Sequence, residues 1–201
     1  MIAFRPYFAL VKSIAFINVL DLFSKIGANS LSYNPHKNEN PKIIVPSEID
    51  TYFRSGVLKG FVHDMGAAMQ GGIGGHAGLF GNSLDVAKLM QLFLQKGIYG
   101  NEIFFSSKIF DEFNKCHFCE DNVRRGIGFD KPEIDDSDTI TCDCISEESF
   151  GHSGFTGTYA WADPESQLVY VFLSNRTFPT MENRKLIENN IRTDIKKIIF
   201  N

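Results

Sequence analysis

Two glycine-spaced stretches hold the side chains best suited to chemistry. In Gly151-His152-Ser153-Gly154-Phe155-Thr156-Gly157-Thr158 an imidazole and a hydroxyl stand side by side. An imidazole can carry a proton or a charge near neutral pH, and a hydroxyl can donate or accept a hydrogen bond. The glycines at 151, 154 and 157 weaken a strand and suggest that something approaches the backbone. Two readings stay open: the floor of a ligand pocket, or a tight bend with a solvated histidine. The second stretch packs six glycines into the eleven positions from Gly71 to Gly81, with Gly75 and His76 among them. Such a backbone turns sharply or lies against another chain or a ligand. It is no phosphate loop, because the Lys-Ser/Thr that completes one is missing and no strand precedes it.

The four cysteines could support other chemistry. Cys116-His117-Phe118-Cys119 is a C-x-x-C, and Cys142-Asp143-Cys144 is a C-x-C. The second spacing is too tight for a zinc knuckle, so no metal and no other cofactor is expected. Free thiols in a surface loop are the default expectation. In an exported protein, Cys116–Cys142 or Cys119–Cys144 could pair instead.

Positioning the His152-Ser153 pair falls to the run from Phe150 to Arg176, which reads as paired antiparallel strands with a turn at Asp163-Pro164-Glu165-Ser166. Leu168 to Leu173 does not alternate with polar residues, which predicts a strand covered on both faces. A helix over Met181–Phe200 supplies cover through Leu186/Ile187, Ile191, Ile195 and Ile198/Ile199. Behind the glycine-rich stretch, Ser83 caps a helix with Asp85 in its first turn. That helix buries Val86, Leu89, Met90, Phe93 and Leu94, and Gly97 ends it. Ser106 or Ser107 caps a further helix through Phe113, Arg124–Phe129 reads as a strand, and Asp130–Cys144 as an acidic loop. Near the N-terminus, Val11–Lys25 fits an amphipathic helix better than a secretory signal. Asp50–Asp64 shows no clear period. The order of elements points to an α+β domain, an antiparallel sheet with helices on its faces.

Composition bounds the rest. With 201 residues, 43% of them hydrophobic, the chain can bury the core of one domain. A net charge of −4 without a Lys/Arg cluster argues against a nucleic-acid partner. No apolar run approaches the roughly 20 residues that span a bilayer.

Gly-His-Ser-Gly-Phe-Thr-Gly-Thr at 151–158, followed by a strand, a DPE turn and a strand ending Ser174-Asn175-Arg176, resembles the third motif of the serine β-lactamase-like hydrolases. That family includes penicillin-binding proteins, β-lactamases, esterases and D-aminopeptidases. Gly74-Gly75-His76-Ala77-Gly78-Leu79-Phe80 is similar to the family's glycine-rich segment before a helix, and Gly126-Ile127-Gly128-Phe129 to its short GlyxGly-aromatic strand. The likeness runs from about Leu22 to the C-terminus, leaving residues 1–21 a poor fit. It is nearest to β-lactamase-like domains fused behind a β-N-acetylglucosaminidase-type glycoside hydrolase. The resemblance implies a β-lactamase/transpeptidase-like fold, acyl transfer on a small-molecule or peptide substrate, and an extracytoplasmic parent protein. It implies catalytic-wall roles for His152 and Ser153, and substrate-binding roles for Gly154, Phe155, Thr156, Gly75 and His76. His152 stands where the family carries a Lys, which weakens capture of a substrate carboxylate and favours the esterase and aminopeptidase branches.

Two family elements are missing. No serine of the 201 residues has a lysine three positions later, so the Ser-x-x-Lys nucleophile pair is absent, and the Tyr/Ser second motif has no match in the family's order. The expectation is a single C-terminal partial domain over 1–201, inactive alone, whose missing upstream half carries the nucleophile. A non-catalytic binder of peptide or cell-wall fragments and an unrelated zinc module are the alternatives.

Overall fold

The computed structural model describes residues 19–37, 40, 43–119, 123–132 and 144–200. In chain order the elements are helix α1 (19–25), β1 (Ser32–Tyr33), a 3₁₀ turn (Pro35–Lys37), β2 (Pro46–Asp50), β3 (Gly56–Lys59) and α2 (Met65–Met69). Then come β4 (Leu79–Phe80), α3 (Ser83–Leu94), β5 (Ile98–Tyr99), β6 (Glu102–Ile103) and α4 (Ser107–Asn114). The chain finishes with β7 (Phe150–Ser153), β8 (Tyr159–Asp163), β9 (Leu168–Phe172), α5 (Lys185–Glu188) and α6 (Ile191–Phe200). β7, β8 and β9 form an antiparallel meander, while β1–β4, β2–β3 and β5–β6 are two-stranded pairs. The architecture is α+β, as the order of sequence patterns predicts.

Strand β8 is the centre of the fold, and its alternating side chains feed two cores. Ala162 joins Phe150, Met90, Leu94 and Phe110 on the α3/α4 side. Tyr159 and Trp161 join Tyr170 on the other side, where Ile195 and Phe200 of α6 pack against them. The meander is thus covered on both faces, which explains why Leu168–Leu173 lacks alternation. The turn into β9 is held by Asp163, which accepts from Glu165 N (3.0 Å) and Ser166 Oγ (3.0 Å). A third cluster, Phe23, Ile26, Ala28 and Leu31 against Leu92, seats the α1 region on the far side of α3.

Several expected details differ. The α3 cap is Asn82, whose Oδ1 accepts from Asp85 N at 2.9 Å, and Ser83 is the first helical residue. Asp85 turns inward and accepts from Ser30 N (2.8 Å) and Lys88 Nζ (2.7 Å). The C-terminal helix breaks at Asn190, whose φ is +49°, and the break resets its phase. Ile198 is therefore 80% exposed, while Lys196 is fully buried, donates to Tyr159 Oη at 2.9 Å and lies over the Trp161 ring. A long aliphatic stem lets a lysine fill a core position while its ammonium faces aromatic rings. Arg124–Phe129 forms a turn, with Gly126 N bonded to Phe129 O at 3.0 Å, because Phe129 is drawn in against Phe93, Phe110 and Phe150. Cys116 is bonded to Cys119, and Cys144 is also in a disulfide, so neither the free thiols nor the two longer-range pairings hold. The expected helix before residue 19, most of the acidic loop and Cys142 lie outside the described residues. Among those residues, no helix is long and apolar enough to cross a membrane.

Candidate functional site

His152 sits on β7 opposite Ala160, and Ser153 opposite Tyr159. On its outer side β7 meets a single residue: Asp130 N donates to Gly151 O (2.8 Å) and Gly151 N to Asp130 O (3.2 Å). Ladder groups alternate sides along a strand, so the backbone N–H and C=O of Ser153 point the same way as those of Gly151. Beyond Asp130 this edge has no strand partner among the described residues. An extended ligand could add there as a short strand.

Three ionisable groups line that edge. His152 Nδ1 lies 2.8 Å from Ser153 O, and a carbonyl only accepts, so Nδ1 carries the proton. Nε2 is then the acceptor, 3.4 Å from Arg125 Nη1. The same Arg125 nitrogen is 3.1 Å from Asp130 Oδ1, whose side chain is buried. Arg125 is the guanidinium cation beside this edge, paired with the Asp130 carboxylate. The Ser153 side chain is half-buried.

The glycines here have an internal cause. A Cβ on Gly151 would meet Ala160 O and the Trp161 ring, and one on Gly154 would meet Thr158 Oγ1. Gly154 N bonds Thr158 O at 2.7 Å, closing the turn that carries Phe155 and Thr156. Phe155 is 61% exposed, and Thr156 O accepts from Arg176 N at 2.9 Å. The Arg176 guanidinium lies 4.7 Å over the Phe155 ring, and His63 approaches the same ring at 5.4 Å.

Gly75 and His76 lie apart from this wall. His76 Nε2 donates to Asp64 Oδ1 at 2.9 Å, and the same oxygen caps α2 by accepting from Ala67 N at 2.7 Å. The Ala67 N–H, with His76 next, holds the Asp64 carboxyl below its ordinary range. Among the described residues no hydrogen bond or ring contact joins Gly75 or His76 to His152 or Ser153. The link runs through His63, next to Asp64 in sequence and against Phe155 in space.

His63 belongs to a segment without a readable period, and its order comes from buried carboxylates. Asp50 accepts from the backbone N–H groups of Tyr52, Phe53 and Arg54 and from Arg54 Nε. Burial works against its charge, yet these donors hold its carboxyl down at about 2. Glu48 Oε2 receives Tyr52 Oη at 2.7 Å and lies 3.1 Å from His63 Nε2; burial first, then this bond, pushes the Tyr52 hydroxyl up to about 12. The hairpin β2–β3 is fastened to the segment after β9 by Asn175 Nδ2 to Pro46 O (2.9 Å) and Thr177 Oγ1 to Ser47 O (2.7 Å). Arg125, Arg176, Glu48 and His63 are thus site neighbours that motif spacing does not reveal. Arg125, adjoining Gly126-Ile127-Gly128-Phe129, and Arg176, closing Ser174-Asn175-Arg176, stood at the edges of matched motifs; His63 and Glu48 carried no signal.

The family model described as Beta-lactamase matches residues 22–193. A protein of Salmonella enteritidis named "Putative D-alanyl-D-alanine carboxypeptidase" is 33% identical over 84% of this chain and 41% of its own length. Its Salmonella typhi counterpart of the same name is 32% identical with the same coverage. The chain thus spans about two fifths of the curated relatives it matches. Among solved structures, a beta-lactamase from Mycobacterium bovis is 20% identical over 57% of this chain and 46% of its own, with a TM-score of 0.38.

Proposed function

Since the chain belongs to the beta-lactamase family of serine β-lactamase and penicillin-binding-protein-like hydrolases, we propose that it supplies one wall of an acyl-transfer site acting on ester, amide or cell-wall peptide substrates. The observation that carries this reading is the open outer edge of β7 with Arg125 and His152 beside it. The substrate backbone pairs with Ser153 N–H and C=O, and Arg125 draws a substrate carboxylate toward the edge. As Arg125 turns to the substrate carboxylate, His152 Nε2, its 3.4 Å neighbour, is released as a proton acceptor, and the Ser153 hydroxyl donates to the ligand. The relatives' name suits a peptide ending in a carboxylate, and the Cys116–Cys119 disulfide suits an extracytoplasmic setting.

The nucleophile is a separate matter. Acylation needs a hydroxyl activated by a neighbouring base, and no Ser-x-x-Lys occurs in the 201 residues. We assign the nucleophile to a part of the parent domain outside this sequence, so the chain alone is inactive. A second reading, a binder that retains the cleft without catalysis, draws on the same absence.

The test uses a longer form of the protein that carries an upstream Ser-x-x-Lys. Arg125→Ala is expected to lower kcat/KM for a carboxylate-bearing ester about tenfold, the loss of one charge-assisted contact, and to leave a neutral ester nearly unchanged. Equal loss on both esters removes Arg125 from substrate recognition. No turnover by a folded longer form favours the binder.

A further inference from the structure

We propose that Arg176 and Phe155 form a second subsite, taking a carboxylate carried beside a flat or apolar group; this rests on β7 being the substrate edge. Phe155 is a large apolar side chain left 61% exposed two residues beyond Ser153. Covering the exposed part of this ring with an apolar group would remove apolar surface from water, which favours binding there. Its neighbours are a guanidinium at 4.7 Å and an imidazole at 5.4 Å, so part of the ring surface is already committed to flat partners.

Arg176 is the stronger half of the observation. Its Nη1 donates to Met181 O (3.0 Å) and Asn183 O (2.8 Å), which fixes the guanidinium plane. Among the described residues no acceptor meets Nε or Nη2, and no carboxylate lies within ion-pair distance. Its charged neighbours are Arg184 and Arg192, of its own sign. Arg184 reaches Glu188 only at 3.9 Å, and Arg192 is spent on Thr158 O at 3.2 Å. A half-buried cation among like charges is unfavourable unless an anion joins it. The open Nε–Nη2 side of the fork suits a carboxylate bound by two parallel hydrogen bonds. Arg176 N also bonds Thr156 O, so occupancy there reports directly on the turn that leads out of β7.

The subsite can be tested on this chain without any turnover. Benzoate carries both required features, while benzyl alcohol lacks the charge and acetate lacks the ring. In NMR titrations, benzoate is expected to shift the Arg176 Nε–H and Phe155 ring signals, with benzyl alcohol having no effect on Nε–H. Arg176→Lys keeps the charge but not the fork and is expected to weaken benzoate about tenfold. Phe155→Ala, which leaves the arginine and its carbonyl partners in place, is expected to weaken benzoate but not acetate. Benzoate shifts that leave Arg176 untouched, or that persist unchanged in Arg176→Lys, overturn the subsite. A subsite that binds benzoate in a protein with no acyl transfer overturns the proposed reaction and leaves this inference standing.

Discussion

The two glycine-rich stretches look alike in sequence and differ in why they need glycine. In Gly71–Gly81 conformation and space act together: Gly72 has φ +82° and Gly78 φ +117°, and a Cβ would also meet the Asn34 side chain at Gly72 and Gly72 O at Gly78. In Gly151–Gly157 the reason at Gly151 and Gly154 is space, taken by Ala160 O, the Trp161 ring and Thr158. The first stretch closes on itself and on the chain from Leu31 to Asn34, and the second on the central strand and on its own turn at Thr158. Glycine spacing therefore marks close approach without telling which partner approaches.

Substitutions can break that contrast. Gly151→Ala forces a methyl against a backbone carbonyl and a buried indole, neither of which can yield, and is expected to cost about 3 kcal/mol by chemical denaturation. Gly72→Ala sets a side chain in the left-handed region, but the Asn34 side chain in its way can rotate, so about 1–2 kcal/mol is expected. Equal costs at the two positions would erase the distinction.

Acid and base should separate the same regions. Asp50, which orders the hairpin leading to the first stretch, contributes stability that is complete above the ordinary carboxyl value of 3.8 and lost as pH falls through about 2. Lys131 lies behind β7, donating to Asn114 Oδ1 (3.1 Å) and Ser149 O (2.8 Å), and burial lowers its ammonium from 10.5 to about 8. Its charged form is penalised in the fold, so its contribution rises as pH climbs from about 8 toward 10.5. Denaturation midpoints measured against pH should show the acid limb vanish in Asp50→Asn and the alkaline rise vanish in Lys131→Met. The smallest effect belongs to Gly75→Ala, which meets nothing within 4 Å and is expected to stay within about 0.5 kcal/mol.

How much was legible in the sequence follows from what positions each group. The β8–β9 hairpin was readable, because Asp163 and the apolar runs act locally. The α6 face was not, since the break at Asn190 shifts the phase and trades an expected isoleucine contact for buried Lys196. His152 and Ser153 could be singled out from type and glycine spacing. His63 could not, because it reaches Phe155 from a segment without a readable period, and Arg125 and Arg176 lay beside or within matched motifs whose spacing does not say what their side chains touch. Cys116–Cys119 escaped for a plainer reason: a C-x-x-C spacing serves a metal, a redox pair or a closed local disulfide equally well.

Intact-mass spectrometry of the 201-residue chain after incubation with penicillin or an activated ester tests the central claim most directly. The account places a substrate wall on this chain but no Ser-x-x-Lys pair, so the expected spectrum shows no mass increment and the matching kinetics no burst. A stable acyl adduct on any serine of this chain would contradict it.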